Sequence, residues 1–207
     1  MDYIRLKDVY KTMKGTQVLK GVNLTVEQVG IVGIRGINGS GKTMVLRAIA
    51  GLIRVDGSVE IGGKKMEPGE CPKDIGVLVE MPGFLPEFTG KKNLQLLGML
   101  QEGITEEDIE EAMNAVGLDP KDRRHYKKYS LGMKERLGIA QAILKKPKLI
   151  LLDEPTNGID SDGIQMLEEL LRHLKEAGST IVVTSHDRDF LDAVTSQCYE
   201  MKEGSLR

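Results

Sequence analysis

The sequence predicts an α/β fold built around a strand–loop–helix unit of the phosphate-binding type, and three observations carry that prediction. The first is Gly36-Ile37-Asn38-Gly39-Ser40-Gly41-Lys42-Thr43, set between an apolar run, Val29 to Ile34, and a helix-periodic stretch, Met44 to Leu52. The second is a later apolar run, Leu149-Ile150-Leu151-Leu152, that leads straight into Asp153-Glu154-Pro155. The third is the change of period between them. From about Lys91 to Lys146 the apolar residues recur at helical spacing, as an insertion between strands of an α/β core.

The first stretch has a chemical reason for each residue type. Glycine-x4-glycine-lysine-threonine between a strand and a helix is the phosphate-binding P-loop. Its glycines let consecutive backbone N–H groups converge on one point, where the helix N-terminus adds partial positive charge. Lys42 supplies a full charge for β- and γ-phosphates, and the Thr43 hydroxyl is suited to ligate Mg²⁺. A nucleoside triphosphate is the implied ligand.

Composition sets the bounds. With 207 residues there is enough chain for one domain with a full core. Forty per cent hydrophobic and 29% charged residues are ordinary for a soluble globular protein. The net charge of −2 argues against a strongly basic nucleic-acid binder, and no nucleic-acid partner is expected. No apolar run approaches the length needed to span a bilayer, and Met1-Asp2-Tyr3-Ile4-Arg5 is charged where a secretory signal needs an apolar core. Cys71 and Cys198 form neither a CxxC nor a disulfide framework, so a cytoplasmic protein is expected.

Taken in order, the first thirty residues alternate apolar and polar (Ile4, Leu6, Val9, then Val18-Leu19, Val22, Leu24, Val26) and fit two or three strands with a turn at Lys14-Gly15. Gly57 to Gly63 reads as a short strand closed by a glycine turn, and Ile75 to Val79 as a strand stopping at Glu80-Met81-Pro82-Gly83. Thr105-Glu106-Glu107-Asp108 resembles a capping box, opening a helix punctuated by Gly117 and Pro120. A second helix follows Ser130. Beyond Leu152, the face Ile164, Leu167, Leu171, Leu174 predicts a helix closed by Gly178. Thr180 to Thr184 is a further strand, Phe190 to Val194 belongs to a short helix, and Cys198 to Met201 reads as a last strand.

An acidic pair at the end of a parallel-type strand lies where open α/β sheets place ligands. Asp153 is suited to hold Mg²⁺ through water, and Glu154 to polarise an attacking water as general base; capping of the next helix is the plainer alternative. His125 and His173 read as exposed or structural. His186, in Thr184-Ser185-His186-Asp187, ends a strand on the same edge as the P-loop and Asp153, where a histidine can donate to a γ-phosphate or steady a water.

At this point the order of elements resembles the nucleotide-binding domain of ABC transporters over essentially the whole chain. Walker A is Gly36 to Thr43, and Walker B is Leu149 to Asp153 with Glu154 at the catalytic glutamate. Asn157-Gly158-Ile159-Asp160 looks like the D-loop, His186 like the switch histidine, and Tyr129-Ser130-Leu131-Gly132-Met133 like the signature usually written LSGGQ. The resemblance implies a P-loop NTPase (RecA-like) core, residues 1–79 and 148–207, with an N-terminal antiparallel β subdomain. Residues 80–147 would form an inserted α-helical subdomain carrying the signature. ATP and Mg²⁺ are the implied cofactors. Gly36, Asn38, Gly39, Ser40, Gly41, Lys42, Thr43 and Thr184 would contact the nucleotide, and Thr43, Glu80 and Asp153 the metal. Glu154 and His186 would act in catalysis. Two such domains are implied to pair head to tail, identical or homologous, with Ser130, Gly132 and Asp160 of one completing the site of the other. A separate transmembrane permease would hold the pair at the cytoplasmic face of the membrane.

Three departures matter. The loop after Val79 carries Glu80 where the family has glutamine, and the signature has Leu131 and Met133 where the family has glycine and glutamine. Glu80 together with Tyr-Ser-Leu-Gly-Met-Lys is similar to a branch that expels bacitracin, lantibiotic peptides or other drugs. A solvated loop residue is the plainer reading of Glu80. Third, the position at which the family stacks an aromatic ring on adenine holds Met13, with Tyr10 three residues earlier, so weak adenine affinity is expected unless Tyr10 reaches in. The basic run Lys121 to Lys128 reads as a solvated loop in preference to a lipid or acidic-partner contact. The competing function is a soluble ABC-type ATPase in assembly or regulation, such as iron–sulfur cluster assembly.

Overall fold

Helix α1 (Lys42–Ile49), which leaves the P-loop, is packed between two β-sheets in the computed structural model of the chain, which describes residues 2–80, 82–100 and 103–207. Met81, quoted in the loop after Val79, lies outside the described residues.

The first sheet is antiparallel. Strands β1 (Asp2–Met13) and β2 (Thr16–Glu27) form a hairpin. Lys14 and Gly15 both take positive φ, 48° and 80°, which matches the right-handed twist of flanking strands. Strand β4 (Asp56–Ile61) pairs with β1, and the two-residue β5 (Lys64–Lys65) follows through Gly62-Gly63, giving the order β2-β1-β4-β5. The apolar residues of β1 and β2 point to one face: Ile4, Leu6, Val9, Leu19, Val22, Leu24 and Val26 are all buried.

The second sheet is six-stranded. Its order is β10 (Ser205–Leu206), β9 (Gln197–Lys202), β3 (Ile31–Arg35), β8 (Thr180–Ser185), β7 (Leu149–Asp153) and β6 (Ile75–Leu78). It is parallel from β9 to β6, and β10 is an antiparallel edge. Helices cover both faces, so its central strands are apolar throughout, as parallel strands require. Alternation then splits their side chains. Val32, Ile34, Leu149, Leu151 and Val182 pack toward α1 and the antiparallel sheet. Ile31, Ile150, Leu152, Ile181 and Val183 pack toward the remaining helices. Each such buried side chain stabilises the fold by about 1.5–3 kcal/mol.

Those helices are α2 (Gly90–Gly98), α3 (Glu106–Ala115), α4 (Leu131–Ile143), α5 (Ser161–Glu176) and α6 (Arg188–Val194). Polar side chains fix their starts: Thr89, Thr105, Ser130, Asp160 and Asp187 each accept a backbone N–H of the first turn. Thr105 and Asp108 complete the reciprocal capping box.

The structure corrects the sequence reading at several points. The apolar run begins to be strand only at Ile31. Val29 is exposed with φ 58°, in a turn whose N–H donates to Thr180 Oγ1, so apolar character overran the strand start. Helix α2 was not named from sequence because its apolar stripe is short and glycine-bounded. Strands β5 and β10 are two residues each and exist only through their partners.

Strand β6 lies so close to the end of α4 that a Cβ on Gly76 would sit 1.6 Å from the Ala142 carbonyl oxygen and 2.9 Å from Pro147 Cγ. Gly76→Ala forces backbone apart and is expected to cost about 3 kcal/mol. Calorimetry should then show melting lowered by about 6–12 °C; an unchanged melting temperature would mean that this contact relaxes freely.

Candidate functional site

The C-terminal ends of β3, β7 and β8 converge on the P-loop. Gly39 and Gly41 take φ of 79° and 114°, the left-handed backbone that turns successive N–H groups inward. Gly36 is required by a close approach, since a Cβ there would lie 2.4 Å from the Met201 carbonyl oxygen and 2.7 Å from Ser40 Oγ. The turn between β9 and β10 braces the loop from outside: Gly204 N–H donates to the Ser40 carbonyl at 2.9 Å, and Lys20 N–H to the Gly204 carbonyl at 2.8 Å.

Lys42 is almost fully buried. Its ammonium donates to the Gly36 and Ile37 carbonyls at 2.6 and 3.2 Å and lies 2.9 Å from Glu154 Oε1. Asp153 receives two hydroxyl donors: Thr43 Oγ1 on Oδ2 at 2.7 Å, and Thr184 Oγ1 on Oδ1 at 2.6 Å. The second contact follows from register, because Asp153 is paired with Thr184 across β7 and β8. Glu154 is held at both ends. Its N–H donates to the Thr184 carbonyl at 3.0 Å and to Thr184 Oγ1 at 3.1 Å. Its Oε2 accepts the His186 N–H at 3.2 Å and lies 2.7 Å from His186 Nδ1. Glu154 has φ 49°, a strained conformation for a side chain of this type and one that clusters at functional sites.

One cavity of about 500 Å³ opens over this arrangement, walled by Asn38 to Met44, Glu154, Glu203, Gly204 and the β2 residues Thr16, Gln17, Val18 and Lys20. A second, of about 480 Å³, lies at the start of α4 and is walled by Ser130 to Met133, Arg136 and Gly158 to Asp160. The two share no residue. Ser130 Oγ accepts the Met133 N–H at 3.2 Å, leaving the first turn of α4 presented there. Asp160 Oδ1 accepts from Gly163 N–H and from Arg136 Nη2, both at 3.1 Å. Leu131 is 59% exposed and rests on Gly158, where a Cβ would come within 2.6 Å of it.

The structure thus gathers Gly36, Asn38, Gly39, Ser40, Gly41, Lys42, Thr43, Asp153, Glu154, Thr184 and His186 at one sheet edge. It places Ser130, Gly132 and Asp160 in the other cavity. Tyr10 and Met13 do not line the P-loop cavity: Met13 lies at the hairpin turn, and the Tyr10 ring covers Gly21, whose Cβ position is 2.8 Å from Tyr10 Oη. Glu80 is exposed, has φ 66°, and pairs with Arg47 at 2.6 Å. Sequence reasoning missed Thr16, Gln17, Val18, Lys20 and Glu203-Gly204 as walls. The packing of the β9–β10 turn against β2 and the P-loop brings them there.

The residues fit a phosphate chain. Ser40 Oγ is buried with no hydrogen-bond partner, in the same loop whose Lys42 ammonium is also buried. They also fit Mg²⁺. That ion takes one or two protein oxygens together with phosphate oxygens and water, which the Thr43–Asp153 pair supplies without a dedicated cage. Among the described residues no group of three or more His, Cys, Asp and Glu forms a cage of its own.

A loop of this geometry at a strand-to-helix junction, with an acidic strand end beside it, defines a P-loop nucleoside triphosphatase. The sequence profile described as ABC transporter matches residues 19–157. An uncharacterized ABC transporter ATP-binding protein of Bacillus subtilis, YybJ, is 38% identical over 98% of this chain and 94% of its own length. The bacitracin transport ATP-binding protein BcrA of Enterococcus faecalis is 36% identical over the whole of this chain and 68% of its own. The lantibiotic transport ATP-binding protein SrtF of Streptococcus pyogenes is 34% identical over 88% and 80%. Among solved structures, the dimeric cassette MJ0796 superposes with a TM-score of 0.88 at 28% identity, covering 99% of this chain and 96% of that one. A second structure of it, post-hydrolysis with ADP and Pi bound, matches at 0.88 and 27%. The chain belongs to the ABC transporter family, as its nucleotide-binding ATPase cassette.

Glu135, on α4 just past the signature, is 6% exposed, and burial together with the negative charge of Asp153 raises its carboxyl from 4.5 to about 7. The unfolded chain releases this proton near pH 4.5, the folded one only near 7. The contribution of Glu135 to stability is therefore fully present below pH 4.5 and is lost as pH rises toward 7, by up to about 3 kcal/mol. Urea midpoints measured across that window in metal-free buffer should decline in the wild type and flatten in Glu135→Gln. Identical profiles would show that Glu135 ionises freely.

Proposed function

We propose that this cassette binds ATP with Mg²⁺ and pairs head to tail with a second cassette. The pair hydrolyses ATP to power a separate transmembrane permease that exports peptide antibiotics or other drugs. The observation that carries the pairing is the separation of the two cavities. The P-loop lines one cavity, and the signature turn, with Ser130 and Gly132, lines a different cavity of the same chain. A facing cassette brings the two together, so that the first turn of α4 offers its N–H groups to the γ-phosphate. The names of the relatives BcrA and SrtF support an antibiotic-export role, as do Glu80 and the Leu131–Met133 signature. No helix among the described residues is long and apolar enough to cross a membrane.

Within the site, Thr43, Asp153 and Glu80 would hold the metal, which when bound neutralises phosphate charge. The entering γ-phosphate competes with Glu154 for Lys42 and frees the carboxylate to accept a proton from the attacking water. His186 keeps Glu154 oriented through Oε2 and faces the phosphate from the end of β8. The adenine end is left to the β2 wall, so base recognition is weak.

Glu154→Gln is expected to lower turnover about 10²–10⁴-fold while nucleotide binding persists and ATP drives a stable pair on gel filtration. Wild-type turnover in that variant removes Glu154 as the base. Purification from detergent-solubilised membranes should carry a polytopic partner along; a cassette that never leaves the soluble fraction contradicts the transport role.

A further inference from the structure

Arg47 and Glu80 form an ion pair, Nη2 to Oε1 at 2.6 Å, that joins α1 to the loop after β6. Three features distinguish it from the surface pairs elsewhere on the molecule. Arg47 is one helical turn beyond Thr43, so the two share a face of α1. Leu78 is paired with Leu152 across β6 and β7, so the loop carrying Glu80 leaves the sheet beside Asp153. Glu80 also has φ 66°, a conformation costly for a residue with a side chain and maintained only where the surroundings fix it. The strand end, the first turns of α1 and the loop therefore meet at the metal side of the P-loop.

We propose that Arg47 is a positioning residue that fixes the Glu80 carboxylate for metal-bound nucleotide; the inference rests on the reading of Glu80 as a metal-side group. The charge balance of the site gives the reason. Asp153 and Glu154 are already acidic, the nucleotide brings further negative charge, and Lys42 is the cation at the loop. A glutamate added to this edge is repelled unless a cation offsets it, and Arg47 does so at hydrogen-bond distance. Holding Oε1 also decides which oxygen is left to accept from a metal-bound water, namely Oε2. The pair contributes little to the fold, because Glu80 is 63% exposed and solvent screens an ion pair there. Its effect is on how the carboxylate is presented to the metal.

Titration with N-methylanthraniloyl-ADP, in Mg²⁺ and in EDTA, tests the proposal without turnover. Arg47→Ala is expected to weaken the Mg²⁺-dependent binding about tenfold, the lower end for groups that orient a metal ligand. Binding in EDTA and the melting temperature should stay as in wild type. Arg47→Lys, which keeps the charge, should retain most of the affinity. In a Glu80→Gln background Arg47→Ala should have no further effect, since the carboxylate it serves is gone. An equal loss in both backgrounds, an equal loss in EDTA, or no loss at all overturns the role assigned to Arg47. A wild-type protein that binds equally in Mg²⁺ and EDTA overturns instead the metal reading of the site.

Discussion

Asp153 is the residue on which the site depends. Its two oxygens accept the Thr43 and Thr184 hydroxyls, tying α1, β7 and β8 together at the phosphate-binding edge. Thr43 is separated from it by 110 positions in sequence. A carboxylate with two short hydroxyl donors on opposite oxygens has little freedom to rotate, and charge-assisted bonds of this kind are stronger than neutral ones. The apolar residues behind it, Leu149 to Leu152, are fully buried on both faces of the sheet, so the strand end is as rigid as the core. Position and charge at the site are thus properties of strand β7.

Glu154 and Glu80 extend this edge under strain. Both are non-glycine residues with left-handed backbone, and both have carboxylates engaged by a cation, Lys42 for one and Arg47 for the other. Such conformations cost of order 1–3 kcal/mol and persist when neighbours over-determine them. For Glu154 the neighbours are the Thr184 carbonyl and hydroxyl, which both accept its N–H. Under the proposed function, an arriving phosphate would compete for the Lys42 ammonium with a carboxylate that His186 also holds.

The signature region is coupled to the same edge through the protein interior. Glu135 is buried on α4 close enough to Asp153 for the two charges to interact, and Arg136 on the same turn bonds the Asp160 cap of α5. One turn of α4 therefore interacts both with the charge of Asp153 and with the loop that lines the other cavity. Leu131, in place of a smaller residue, finds its room over Gly158. The changed signature and the D-loop glycine are complementary parts of one surface.

What the sequence determined by itself was everything with a local physical cause. The glycines, lysine and threonine of the P-loop identify themselves, since inward N–H groups and a helix start are short-range features. The caps at Thr105 and Ser130 and the apolar strand ending in Asp153 are equally local. The resemblance of motif order added roles that spacing alone could not assign. What only the tertiary structure decided was which residues separated in sequence share a surface. Register placed Thr184 on Asp153, and packing placed the β9–β10 turn against the P-loop and Thr16, Gln17, Val18 and Lys20 on the cavity wall in place of Tyr10 and Met13. It also gave Glu80 its partner Arg47, and it set the signature apart from the P-loop. These depend on sheet order and helix packing, which are fixed by burying many side chains at once and not by any one stretch of chain.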